Sequence, residues 1–126
     1  MHGIRVALVL VSLVLMAMGS AVAANYAQET LDRYFRIEFQ ATPRPPRSVI
    51  SGYVYNQNPG LSAERMQLAI EGLDASGNVI GTSTTWVLGG VPPGNRGYFT
   101  TQVAPAASYR VQVLSFEWSG RGGASN

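Results

Sequence analysis

From Tyr34 to Gln40 the chain reads Tyr-Phe-Arg-Ile-Glu-Phe-Gln, with Phe35, Ile37 and Phe39 at one parity and Tyr34, Arg36 and Glu38 at the other. A period of two marks an extended chain with one face buried, because successive side chains of a strand point to opposite faces. The pattern returns along the chain. Ile50, Gly52 and Val54 alternate with Tyr53 and Tyr55, and Met66, Leu68 and Ile70 alternate with Gln67, Ala69 and Glu71. From Val79 to Leu88 the expected inward set is Ile80, Thr82, Thr84, Trp86 and Leu88. Phe99, Thr101 and Val103 form the next inward set. In the last strand Val111 and Val113 give way to Leu114, Phe116 and Trp118, a change of phase within one run.

Between these runs stand residues that favour turns. Asn56-Gln57-Asn58-Pro59-Gly60, Asp74-Ala75-Ser76-Gly77-Asn78, Gly89 to Asn95 with Pro93-Gly94, and Pro105 to Ser108 each read as loops. The shift of alternation at Gly72-Leu73 reads as a bulge near a hairpin end. Pro43, Pro45 and Pro46 lack backbone donors, so Pro43 to Arg47 is expected to be a stiff connection or a broken sheet edge. Leu61 to Arg65 is read as one short helical turn, and a seventh strand is sought around Asn25 to Leu31. Six to seven short strands with tight turns are most economically covered as an all-β, antiparallel two-sheet sandwich.

That domain is expected over residues 25–118, after a signal peptide at 1–24 and before a flexible Gly- and Ser-rich tail at 119–126. Arg5 precedes an apolar run from Val6 to Met18, and Ala21-Val22-Ala23-Ala24 supplies the small residues of a cleavage site, after Ala23 or Ala24. The run is shorter than the roughly 20 residues of a membrane-spanning helix, so no span is expected once the signal is cut. An uncleaved signal would leave an N-terminal membrane anchor instead. The expected location is the periplasm or the extracellular space.

Beyond residue 24 there is no His, Lys or Cys, and Met66 is the only methionine. Imidazole or amine bases, thiol chemistry, and His or Cys metal ligands are therefore absent from the mature chain. No enzyme and no cofactor is expected. The same segment carries eight arginines against seven carboxylates, a balance that implies no nucleic-acid partner. A secreted domain of this size without disulfides points to a bacterial envelope protein held by core packing alone.

The order of these signals resembles the FxLYD-type domains. It rests on Ile50-Ser51-Gly52-Tyr53-Val54-Tyr55-Asn56, on Met66 to Leu73 leading into Asp74-Ala75-Ser76-Gly77, on Pro93-Gly94 with Phe99, and on Tyr109 to Val113. Ile70-Glu71-Gly72-Leu73-Asp74 stands where the family's name-giving motif would fall, and only Asp74 is identical. The resemblance spans about Val49 to Val113. It implies an exported bacterial immunoglobulin-like or fibronectin-III-like sandwich and carries no catalytic residues.

Three groups of residues are candidates for a site. Asp74 to Asn78 contains calcium-type oxygens, but counting Asp74 as first puts Val79 sixth and Thr85 twelfth, where a calcium loop needs Gly and Glu. Asp74 and Gly77 are read instead as a hairpin turn, and Pro93 and Gly94 as structural turn residues of the loop from Gly89 to Asn95. Tyr53, Tyr55 and Tyr98, with Trp86 and Trp118, are either a platform for a glycan or small ligand, or core and face-covering residues. The second reading puts both tryptophans in the core; the platform requires the tyrosines to be exposed together. Arg33, Arg36, Arg44 and Arg47 with Asp32 and Glu38 are read mainly as solvated edge charges, with Arg44 and Arg47 as candidate partner contacts. The expected role is a monomeric or weakly associating protein-interaction or structural module, its partner an envelope protein or glycan.

Overall fold

The structure of the protein is a computed structural model that describes residues 28–120. The signal segment, its cleavage sites, and the tail from Arg121 onward lie outside the described residues. Helix α1 spans Gln28–Tyr34; strands follow at β1 Phe35–Arg44, β2 Arg47–Asn56, β3 Leu61–Leu73, β4 Val79–Trp86, β5 Arg96–Val103 and β6 Ser108–Gly120. All pairings are antiparallel. One sheet has the order β1-β2-β5 and the second β4-β3-β6, so β1–β2 and β3–β4 are hairpins while the other connections cross between sheets.

Both sheets feed one buried cluster. Ile50, Val54, Phe99 and Val103 come from the first sheet, and Ala63, Met66, Leu68, Ile70, Val113 and Phe116 from the second. Phe99, Ile50, Met66 and Leu68 are wholly inaccessible, each stabilising the fold by about 1.5–3 kcal/mol through burial. Leu31 of α1 closes the cluster, and Phe35 makes edge contact with Phe116 at 5.0 Å and stacks on Trp118 at 5.6 Å. The buried Asn56 amide donates to the carbonyls of Leu61 and Val91 at 2.8 and 3.0 Å, tying three chain segments together. Among the described residues no helix is long and apolar enough to cross a membrane.

The alternations in β2, the middle of β3, and β5 are inward and outward as the sequence implies. The register also shifts at Gly72/Leu73. In β6 the phase change has a direct cause: Gln67 faces Ser115 and Leu68 faces Val113, so Leu114 is an extra residue that turns the strand over.

Four expectations are corrected. The inward set of β4 is the opposite one: Ser83 lies across from Ile70 and Thr85 from Leu68. Directly opposed residues share a face. Ile80, Thr82, Thr84, Trp86 and Leu88 therefore look outward, with Trp86 53% exposed and Leu88 62%, and Val87 is the buried residue of that run. Phe39 leaves the core too, because every residue of β1 from Glu38 onward is exposed. Leu61 to Arg65 is strand and not helix, its Ala63 pairing with Val91 in an isolated bridge. No strand is found at Gln28 to Leu31, which belong to α1.

Two smaller differences concern the ends. β1 runs through Pro43, which pairs with Ser48; as an edge strand, β1 can turn that donor-less nitrogen away from the ladder. β6 reaches Gly120, so Ser119 and Gly120 are strand and not tail.

Candidate functional site

Register places the outward residues of the first sheet in rows. Arg36, Tyr55 and Arg96 are consecutive cross-strand partners on β1, β2 and β5, and Glu38, Tyr53 and Tyr98 form the next row. Parity fixes the rest: since Ile50 and Val54 are buried, Tyr53 and Tyr55 must face out. None of the three tyrosines is buried, and Tyr98 is 39% exposed.

The rings and guanidiniums interlock. Arg36 lies over the Tyr55 ring at 4.1 Å from its centroid, and Arg96 lies over the Tyr53 ring at 4.0 Å. Arg96 also donates to the Tyr55 Oη at 3.3 Å. That hydrogen bond, opposed by desolvation and helped by the Glu38 carboxylate, holds the Arg96 pKa above the usual arginine value. Tyr53 sits 5.4 Å from Tyr98 and 6.4 Å from Tyr55 in tilted arrangements. Arg36 is ion-paired with Glu38. Among the described residues Arg96 has no carboxylate partner.

Beside the second row a shallow groove of about 380 Å³ is lined by Glu38, Phe39, Gln40, Ser51, Gly52, Tyr53 and Tyr98. Gly52 is required there by packing, since a Cβ at that position would come 2.0 Å from the Glu38 carbonyl oxygen and 2.6 Å from the Phe39 Cα. The chain of β1 thus lies directly against β2 under the groove.

Arg44 and Arg47 are not brought to the tyrosines. They face each other at the far end of the β1–β2 hairpin, and Arg47 donates to the Gln102 carbonyl at 3.3 Å. Trp118 packs at the edge of the core against Tyr34, Phe35 and Phe116. Trp86 stands outside on the second sheet.

The two candidate turns have turn geometry. The Asp74 carboxylate accepts from the Ser76 and Asn78 backbone N–H groups at 2.9 and 2.8 Å and from the Asn78 side chain at 3.2 Å. These donors, Asn78 foremost, lower its pKa from the usual 3.8. Gly77 supplies the positive φ of 87°. Gly94 has φ 64° in the turn closed by the Asn95 N–H to the Pro92 carbonyl at 3.1 Å.

Arg96 is the residue that sequence reading passed over, and Arg36 was ranked among solvated edge charges. Their signal was available in principle, as arginines flanking the outward parity of a tyrosine-bearing strand, but it needs the β1-β2-β5 neighbour order to be seen. A scan against protein-family models finds no matching family, and searches of curated proteins and of solved structures find no match.

Proposed function

We propose that this chain is an exported, non-catalytic immunoglobulin-like sandwich of the bacterial envelope, and that it works by holding a partner protein on the outward face of the β1-β2-β5 sheet. The observation that carries the proposal is the pair of rows Arg36-Tyr55-Arg96 and Glu38-Tyr53-Tyr98. Tyrosine and arginine are enriched where protein interfaces concentrate their binding energy, and cation–π contact fixes these side chains before a partner arrives. A face spread across three strands suits a macromolecule better than the enclosed pockets that hold small ligands.

Two features support the fold part of the proposal. The orders β1-β2-β5 and β4-β3-β6 match the neighbours A-B-E and C′-C-F of immunoglobulin-like sandwiches. Tyr109, near the start of β6, donates its hydroxyl to the Ala104 carbonyl at 3.0 Å, the tie-back found at the corner before strand F in that class. The FxLYD resemblance and the signal peptide belong to the same proposal. N-terminal mass spectrometry of the secreted protein tests export: a mature chain beginning at Ala24 or Asn25 is expected, and an intact Met1 terminus contradicts cleavage.

A photo-crosslinking residue placed at Thr100, on the tyrosine face, and at Thr84, on the second sheet, tests the binding face in envelope extract. Adducts are expected from position 100 only, and they should vanish when Tyr53 and Tyr98 are both changed to Ala. Equal adducts from Thr84, or adducts indifferent to the tyrosines, would overturn the assignment.

A further inference from the structure

Charge is segregated between the two sheets. The strands of the first sheet carry Arg36, Arg44, Arg47 and Arg96 against Glu38 alone, a net of +3. Those of the second carry Arg65 and Arg110 against Glu64, Glu71 and Glu117, a net of −1. Both second-sheet arginines are spoken for, Arg110 by Glu71 at 2.6 Å and Arg65 by Glu117 at 3.5 Å. On the tyrosine face Arg36 has Glu38, whereas Arg96 keeps its charge and has no acidic neighbour in contact.

The guanidiniums also change what the tyrosines offer. Arg96 covers one face of the Tyr53 ring and Arg36 one face of Tyr55, which removes one stacking surface for a neutral sugar from each of these two rings. What a partner meets is a guanidinium placed over a tyrosine ring, a planar cation whose donors can receive a carboxylate through two parallel bonds. Next to it the groove beside Tyr53 and Tyr98 offers partly apolar cover.

We infer that the partner protein is recognised by an acidic side chain that pairs with Arg96, next to a large apolar side chain that occupies the groove beside Tyr53 and Tyr98. This rests on the tyrosine face being the binding face. Glu38, at the edge of the groove, rejects a second acidic group there and so orders the motif: apolar residue toward Glu38, carboxylate toward Arg96. Arg44 and Arg47 lie at the far end of the β1–β2 hairpin, so beside the tyrosines Arg96 alone is without an ion pair, which calls for one carboxylate in register there and not for a polyanion.

The test uses a fluorescent peptide alternating Glu with Phe, its twin with Gln in place of Glu, and polygalacturonate as an acidic saccharide, each titrated against the purified mature domain. The Glu–Phe peptide is expected to bind, its Gln twin at least about tenfold more weakly, and Arg96→Gln is expected to weaken the Glu–Phe peptide by about tenfold while Arg110→Gln leaves it unchanged. Unchanged melting of both variants keeps the comparison valid, since both side chains are exposed; if Arg96→Gln melts early, Arg96→Lys serves, retaining the charge and losing the paired geometry, with an intermediate affinity expected. Equal binding of the Gln twin, or loss with Arg110→Gln as great as with Arg96→Gln, overturns the inference. Polygalacturonate binding in preference to the peptide also overturns it and makes the partner an acidic saccharide. Should no peptide bind while Thr100 crosslinks still depend on Tyr53 and Tyr98, the acidic motif falls and the binding face stands; if those crosslinks are absent as well, both fall.

Discussion

The two sheets have the same number of strands and share one core, yet their outward faces are built differently. On β1-β2-β5, tyrosines and arginines contact one another across strands, and of its four arginines only Arg36 is ion-paired, which leaves Arg96 beside the tyrosines without an acid. On β4-β3-β6, each arginine has its carboxylate, and the exposed apolar residues Val79, Ile80 and Trp86 sit on the edge strand β4. The contrast teaches that a near-neutral chain can still present a basic face. Exposed ion pairs contribute about 0–1 kcal/mol each and mainly neutralise the second sheet, whereas an ordered, unpaired guanidinium is a group with something left to bind.

The first way to break this comparison is to remove one large aromatic residue from each sheet. Phe99→Ala is expected to lower stability by about 3–5 kcal/mol in urea unfolding, because the ring is fully buried opposite Gly52. Trp86→Ala is expected to lower it by less than about 1 kcal/mol, because the indole is half in water. Similar losses for the two would mean that β4 has the inward parity its sequence suggests.

A glycine from each sheet sharpens it. Gly52→Ala forces a methyl group against the β1 backbone and is expected to cost about 2–3 kcal/mol and to increase hydrogen exchange in β1. Gly81→Ala on β4 meets nothing within 4 Å and is expected to stay within about 0.5 kcal/mol of the parent.

The smallest effect belongs to the β3–β4 turn. Asp74 has a folded-state pKa below its unfolded value of 3.8, so its contribution is present above that value and is lost as pH falls through the lowered one. Asp74→Asn is expected to reduce Tm by no more than about 2 °C at neutral pH, with the difference vanishing in acid. A gap that widens below pH 3.8 would contradict the turn assignment.

Much of the fold was legible because its core strands have unequal parities. In β2 and β5 the inward positions hold Ile50, Val54, Phe99 and Val103, so burial has one solution. β4 offered the wrong one, since Ile80, Trp86 and Leu88 share a parity and its inward positions hold Ser83 and Thr85, with only Val87 beyond the strand's end. The register against β3, set by the Asp74–Gly77 turn and the bulge at Gly72/Leu73, overrides that preference. Leu61 to Arg65 was misread because its strand partners, Glu117 to Gly120 of β6, lie far along the chain, as does Val91, which bridges to Ala63. The tyrosine half of the site was visible as outward parity in β2. Its arginine half was not, because Arg36 and Arg96 become neighbours of Tyr55 only through β1-β2-β5 pairing.

The central claim is that the tyrosine–arginine face is where this domain binds. Titrating the isotope-labelled domain with the Glu–Phe peptide and following backbone amide shifts tests it most directly. The account predicts the largest shifts at Tyr53, Tyr55, Arg96 and Tyr98, fading in high salt. Largest shifts at Gln67, Thr84 and Trp86 would place binding on the other sheet and contradict it.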